Sequence, residues 1–412
     1  MAGRLRLSVT GLQDMWLTGE PQFSYFLMNF KRHTKFAFDY VESQFDGSID
    51  FDQLLICKIP NDKGDLLKNI TLKVTLSDPK PDDGGENDML WTSSVITHLI
   101  EYAELYIGGQ LIEKLTGEYI YIHQQLYNTN DDIDQTLYFL NSHGNYLGYQ
   151  GSYTYFLDLP FYFYRNPSLA IPTCALSKQS MEVRIKTRPL GELVRNLSKP
   201  AFPDDGGISD VNATIEKFSL DSEFAYVTPE EREYLTTRPL DYIITQVQVA
   251  KFKMKPGENK KSVMLNFQHP VKELFMVSQN SANGNVPHLY NNIVTAELRF
   301  NNEIVFNRSG LFLAYEQALK HHVNSPSSIE KTPQEINDSQ RFLGPSKFGM
   351  YSFSLKPESP EPTGQVNMSR ISHKLFTIEI IPINSVYENE TRIYAVNYNI
   401  LRIDSGLAGL KF

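Results

Sequence analysis

At 412 residues the chain exceeds the usual size of a single hydrophobic core, so two cores are the working expectation, and 41% hydrophobic with 21% charged residues is the composition of a folded chain. A formal net charge of −9 argues against a surface that neutralises nucleic-acid phosphates, and no direct nucleic-acid contact is expected. Cys57 and Cys174 are too few for a disulfide framework or a cysteine-based zinc site, which fits a reducing place of synthesis.

The opening residues, Met1 to Leu7 and the polar residues after them, lack the apolar run of a secretory signal, and no export signal is expected. Lys31, Arg32, His33 and Lys35 form a short basic cluster. It reads first as a solvated segment and second as a contact for lipid headgroups or an acidic partner protein. Further on, Ile70, Leu72, Val74 and Leu76 alternate with Thr71, Lys73 and Thr75, the period-two pattern of a strand with one face on a core. Val183 and Ile185, and then Phe376, Ile378 and Ile380, repeat that pattern. Residues 78–88, 200–207, 279–287 and 357–364 are rich in Gly, Pro, Asn and Asp and predict exposed loops. Many short strands with turn-rich connectors, together with 25 Phe and 23 Tyr against 2 Trp, describe a β-sandwich or barrel. No run of about 18 apolar residues occurs to span a membrane; even the aromatic stretch 153–164 is broken by Asp158 and Pro160. Near the middle, Thr228 offers an N-cap, Pro229 a first-turn residue, and Glu230, Glu231 and Glu233 the acidic first turns of a short helix over 229–235.

An internal repeat carries the most information. Aligning Ala103 with Ala296, an offset of 193, also matches Glu104 with Glu297, Leu105 with Leu298, Gly117 with Gly310, Gln124 with Gln317 and Leu126 with Leu319. At its centre Gly108 and Gly109 face Asn301 and Asn302, residues that tolerate the positive φ of a tight hairpin turn, so both copies read as one β-hairpin. A second echo pairs Phe161, Phe163 and Pro167 with Tyr351, Phe353 and Pro357 at offset 190, and a third pairs Val183 and Ile185 with Ile378 and Ile380 at offset 195. Three ordered, nearly constant offsets predict two copies of one β domain.

The residues that could carry chemistry are dispersed. His321 and His322, read as neighbours on a strand, would point to opposite faces and make a poor metal pair. The other histidines lack metal-ligand spacing, and neither a Gly-x-Ser-x-Gly elbow nor a P-loop occurs. Asp78, Asp82, Asp83, Glu86 and Asp88 lack the spacing of a calcium loop and read as a solvated loop. No catalytic, cofactor or metal residue is therefore assigned, and the chain is not read as an enzyme. Seven Asn-x-Ser/Thr sequons occur, of which Asn196, Asn212 and Asn337 fall in expected loops and are the candidate glycan carriers; Asn69 opens a strand.

Several blocks, in order across the whole chain, resemble the double jelly-roll major capsid proteins of large icosahedral DNA viruses such as iridoviruses and phycodnaviruses. They are Gln13, Thr18, Gly19, Pro21 and Phe26 through Arg32, His33, Thr34, Phe36 and Ala37; the hairpin at 107–112; Leu159, Pro160, Phe161, Arg165, Asn166, Pro167, Leu169, Ala170 and Pro172. In the second half they are His269 to Leu274, Tyr351 to Phe353 with Leu355, Lys356 and Pro357, and an ending of Tyr394, Ala395, Asn397, Tyr398, Asn399, Leu401, Arg402, Ser405, Gly406, Gly409 and Leu410. The resemblance implies an all-β fold of two tandem eight-stranded antiparallel jelly rolls joined by a short helical linker. Residues 1–227 would hold the N-terminal jelly roll and an N-terminal arm, 228–240 the linker with its helix, and 241–412 the C-terminal jelly roll. It implies a homotrimer in which two sandwiches per chain imitate a hexagon, packing against neighbouring capsomers in the virion after synthesis and assembly in the host cytoplasm. Minor capsid or cement proteins and the headgroups of an internal membrane would be further partners. Two other readings remain: a minor capsid or scaffold protein of the same fold, and a lectin-like module using Tyr146, Tyr149, Tyr153 and Tyr155 for sugar stacking.

Overall fold

The computed structural model describes residues 2–412 apart from 29, 82–88, 93, 129–151, 197–210, 282–289, 325–347 and 384. Residues 1–36 form one unit and residues 37–412 another. The first unit carries two short helices, Ala2–Ser8 and Asp14–Thr18, and leaves its large apolar side chains in solvent, with Trp16 91% and Phe26 96% exposed.

In the second unit the alternating sequence windows become strands. Those of the first half are β1 (Phe36–Gln44, which starts at the unit boundary), β2 (Leu54–Ile59), β3 (Leu66–Leu76), β4 (Ile100–Ile107), β5 (Gln110–Thr116), β6 (Tyr153–Asp158), β7 (Met181–Thr187) and β8 (Ile215–Val227). They form two antiparallel sheets, ordered β1-β8-β3-β6 and β2-β7-β4-β5. Helix α1 (Gly117–Tyr127) follows β5, and helix α2 (Pro229–Thr237) leads out of β8. Thr228 caps α2 by accepting the Glu231 N–H through its side-chain oxygen, with Pro229 at the first helical position and Glu230 and Glu231 at the positive end of the dipole. The helix runs two residues past the predicted 235.

The second half repeats the scheme. Its strands are β9 (Leu240–Met254), β10 (Lys260–Met264), β11 (Pro270–Asn280), β12 (Asn292–Phe300), β13 (Glu303–Ser309), β14 (Gly349–Ser352), β15 (Lys374–Ile381) and β16 (Asn389–Asp404). The sheet orders are β9-β16-β11-β14 and β10-β15-β12-β13, the first-half orders with eight added to each number. The first of these also carries two short strands, Val366–Asn367 paired with β11 and Leu407–Leu410 paired with β16. Two sheets built on this interleaved four-strand order make a jelly roll, and the chain contains it twice.

The repeat extends to hydrogen-bond register. Ala103 pairs with Ile185 and Leu105 with Val183; 193 residues on, Ala296 pairs with Ile378 and Leu298 with Phe376. Even the irregularities recur, between Ile100 and Tyr102 and between Ile293 and Thr295. The counterpart of Val183 is thus Phe376, at offset 193, and the predicted pairing with Ile378 at 195 was two residues out. A slip of two leaves every side chain on its original face, so alternation cannot detect it. The second echo is looser: Tyr351 lies in β14, whereas Phe161 and Phe163 lie in turns after β6.

The repeat also does not end at the hairpin. Gly117 opens α1, and Gly310 opens the helical stretch that runs through Phe312–Glu316 into α3 (Gln317–His321). A β-carbon on Gly117 would lie 2.2 Å from the Ile100 carbonyl oxygen, and one on Gly310 would lie 1.8 Å from that of Ile293, which is the counterpart of Ile100. Each helix therefore leaves its hairpin through a gap that admits only hydrogen. Gly310→Ala is expected to lower stability by about 2–4 kcal/mol in chemical denaturation, because backbone must move to admit the methyl group. Gly109→Ala, with open space but φ +79, should cost only about 1 kcal/mol.

Candidate assembly interface

The interior is not two separate cores. One buried cluster is the sandwich core of the second half, with Met254, Leu274, Met276, Ile393 and Ala395 from β9, β11 and β16. The other fills the first sandwich and continues onto the opposite face of that same sheet, through Phe275, Val277, Tyr394 and Val396. Alternate residues along β11 and the middle of β16 therefore enter different clusters, β11 is buried almost throughout and β16 is buried without a break from Ile393 to Asn399. The inner strands β11 and β16 are covered on both faces, because one face lies on their own roll and the other packs on the first roll.

Within this join sits a buried ionic group. Glu118 of α1 accepts two hydrogen bonds from the Arg392 guanidinium, each 2.6 Å, and one from the Tyr394 hydroxyl. Arg392 also donates to the Gln279 side chain at 2.8 Å. Burial alone would raise the Glu118 carboxyl, but Arg392 and the surrounding donors outweigh it and hold the group below its ordinary value. A bidentate guanidinium–carboxylate pair fixes orientation as well as distance, so it sets the register of one roll on the other.

A second ionic group lies in the same join. His322, the extended C-cap that follows α3, points Nε2 at Glu273 (3.0 Å) and Nδ1 at Glu358 (2.9 Å). Both ring nitrogens face carboxylates, the arrangement of an imidazolium. Burial depresses the ring, and the two carboxylates more than offset it, so its pKa rises. Glu273 also accepts from the Tyr127 hydroxyl of α1 at 3.2 Å. Beside it, His123 stacks on Tyr127 at 4.0 Å and is driven down to about 3, chiefly by burial and then by Lys272, so it stays neutral. His321 and His322 thus lie at a helix end, not on a strand; the helical continuation after Gly310 was the missed element. Among the described residues no group of three His, Cys, Asp or Glu is placed to hold a metal ion.

The ending motif belongs to this join as well. Asn397 accepts from Gln248 and Asn399 donates to Gln246, each linking β16 to β9, while Gln246 also donates to the Ile112 carbonyl of the first roll at 2.6 Å. Ser405 and Gly406, both at positive φ, turn the chain into the strand Leu407–Leu410, where the Ala408 N–H donates to the side chain of Gln179.

Gly108 and Gly109 have φ +57 and +79, and Asn301 and Asn302 have φ +47 and +73; the pairs close the β4–β5 and β12–β13 hairpins. Two positive φ values in a two-residue loop define the turn that matches strand twist. Of the sequons, Asn196 and Asn212 are not in loops but in short strand pairings, opposite Met89 and Lys80. Asn212 is exposed, Asn389 is fully buried, and Asn69 is half-buried in β3. Asn337, Tyr146, Tyr149 and most of the acidic stretch after Asp78 lie outside the described residues; Tyr155 is buried, and Tyr153 packs edge-on against it.

Two family models match in succession: residues 24–221 match the N-terminus of the major capsid protein, and residues 231–409 match the large eukaryotic DNA virus major capsid protein. The chain belongs to the double jelly-roll major capsid proteins of large DNA viruses. Among these capsid proteins it is 29% identical to the major capsid protein of Pyramimonas orientalis virus over 424 aligned positions, covering 100% of this chain and 99% of that protein. It is 27% identical to the major capsid protein of Paramecium bursaria Chlorella virus 1, covering both chains in full. The fold matches the solved PBCV-1 capsid with a TM-score of 0.75 at 20% identity, over 94% of this chain and 100% of the other. The join described above is thus internal architecture of a capsid subunit.

Two outcomes follow from its electrostatics. Arg392→Met should destabilise the protein by roughly 3–5 kcal/mol, because Glu118 is left charged and buried. The double variant with Glu118→Gln should recover a large part of that loss in the same denaturation experiment. Glu113, also buried, accepts the Tyr162 N–H at 2.8 Å, and burial pushes its carboxyl up to about 8 from 4.5. The folded state therefore holds a proton that the unfolded chain releases. The stability this confers is complete below pH 4.5 and is lost as pH rises through 8. Glu113→Gln should flatten that decline, by on the order of 3 kcal/mol between pH 5 and 8, in melts across the range.

Proposed function

We propose that three copies of this capsid subunit form one capsomer with six similar jelly rolls around its axis, a pseudo-hexamer that tiles the flat facets of an icosahedral shell. The observation that carries the reading is the repetition of sheet order and register at a fixed offset, which makes the halves close to interchangeable as building units. On this reading residues 1–227 and 241–412 are the two units, and 228–240, with the capped helix α2, is the linker. Cyclic closure of a chain with two like domains turns a threefold particle into a near-sixfold one. Contacts between capsomers can then be individually weak, because each capsomer meets several neighbours at once.

The role is structural and not catalytic. Minor capsid or cement proteins would bind between capsomers. The N-terminal unit, with its exposed aromatic residues and the basic cluster Lys31 to Lys35, is suited to partners of acidic character such as the headgroups of an internal membrane. Synthesis and assembly would take place in the host cytoplasm. Asn196, Asn212 and Asn337 are the candidate glycan carriers, and of these Asn212 is exposed. Intact-mass measurement of virion protein reads that directly.

Light scattering on the purified protein is expected to give three times the subunit mass of 47.2 kDa, with hexagonal outlines in negative stain. A stable monomer, or a particle with twofold symmetry, would contradict the capsomer.

A further inference from the structure

Strands β3 and β11 carry the same irregularity. Against β8, Asn69 pairs with Glu223 and Leu67 with Phe224, which leaves Lys68 over; against β16, Val271 pairs with Asn397 and Glu273 with Val396, which leaves Lys272 over. A bulge of this kind breaks strict alternation and re-aims a side chain. In the first roll the bulge lysine meets one carboxylate, Glu223, at 2.8 Å and keeps partial contact with solvent. In the second roll it is buried: Lys272 donates to the Pro357 carbonyl at 2.7 Å and stands 3.5 Å from Glu273.

The charges gathered around the second bulge come from both rolls. The second roll contributes two cations, Lys272 and His322, and two carboxylates, Glu273 and Glu358; Glu358 also accepts the Val323 N–H at 3.0 Å. The first roll contributes Glu113 from β5, Tyr119, His123 and Tyr127 from α1, and Tyr162 and Arg165 from the turns after β6. Tyr398 of β16 faces Glu273 as well. Arg165 is exposed at the rim. With Glu113 protonated and His123 neutral, the charges at the centre cancel, two against two. That balance needs two protons, one on the His322 ring and one on the Glu113 carboxyl. Loss of either leaves an uncompensated negative charge in the join, which is costly to bury.

We propose that this cluster is a proton-operated lock on the join, closed while His322 and Glu113 hold their protons and opened when both are lost. The opening is a hinge and not a separation. Helix α1 runs along the join from Glu118 in its first turn to Tyr127 at its end, about 14 Å away. At the Glu118 end, burial alone would weaken both charges of the pair with Arg392, but each holds the other ionised, so that end does not titrate. The cluster lies at the Tyr127 end, where the Asn324 N–H also crosses to the Leu126 carbonyl at 3.1 Å. Deprotonation therefore frees one end of α1 while the other stays pinned.

The direction follows from the two groups. The fold raises His322 above 6.5 and Glu113 to about 8, so the stability each gives is complete below its unfolded value and is lost as pH rises through the folded one. Glu273, which burial alone would raise, is held down to about 2 by Lys272 and His322, and His123 lies at about 3, so neither changes charge in that range. The lock belongs to the single chain and does not depend on the capsomer. In a shell it would keep facets rigid in neutral and mildly acidic surroundings and loosen them in alkaline ones.

Hydrogen exchange of the full chain, followed by mass spectrometry from about pH 6 to 9 and corrected for the base-catalysed intrinsic rate, tests the lock. Protection over residues 121–127 should fall at least about tenfold across the range, with a slope approaching two protons, while the core strand at 292–300 changes less than about threefold. Glu113→Gln should reduce the slope to one proton and keep α1 protected to higher pH. His322→Gln, which leaves Glu273 and Glu358 without their cation, should expose residues 121–127 already at about pH 6. Loss of protection in α1 and the core strand together would overturn the proposal, as would protection of α1 that ignores pH, or a Glu113→Gln profile identical to that of the parent chain.

Discussion

The architecture depends on two strands of one sheet that are covered on both faces. Strands β11 and β16 send alternate side chains into two different buried clusters, so β9-β16-β11-β14 is the floor of one jelly roll and the wall against the other. Exposing that wall would uncover Phe275, Val277, Tyr394 and Val396 together with the Glu118–Arg392 pair. The hydrophobic loss alone is on the order of several kcal/mol. The rolls are therefore not beads on a flexible string, even though a short helix joins them in sequence. The ion pair adds little net energy once its desolvation is counted; it makes other dockings of the two rolls costly, since any shift strands a buried charge.

A rigid two-roll subunit is what a shell material requires. In the proposed capsomer, rolls free to reorient would not hold six units to a flat hexagonal edge, and errors would grow across a facet. The duplicated glycines show how the orientation is transmitted within each roll. Gly117 and Gly310 press against the carbonyls of Ile100 and Ile293, so each helix leaves its sheet at a fixed place. Divergence has then fallen on the outer helix surface, where Glu118 is buried against Arg392 and its counterpart Leu311 is exposed.

Much of this was legible in the residues, and the limits have physical causes. Alternation in β3 and β7 marked single-faced strands, and paired Gly and Asn marked the hairpin turns. Thr228 and Pro229 marked the helix start. Alternation failed for β11 and β16, since a strand buried on both faces has no period-two signal. It also missed the register of the third echo, because a slip of two preserves every face. The helix after each hairpin was hidden inside a match read as hairpin alone, although Gln124 with Gln317 and Leu126 with Leu319 continued it. That omission placed His321 and His322 on a strand and concealed the pairing of His322 with Glu273. The ion pairs had no local signature: Glu118 and Arg392 are 274 positions apart, and only the fold brings them together.

The most direct test of the account is an experimental density map of the assembled protein, from which the rotation carrying the first roll of a chain onto its second can be measured about the particle axis. The account predicts a rotation of about 60° about that shared axis, as six units on a threefold ring require. A rotation about some other axis, or two rolls at different distances from the centre, would contradict it.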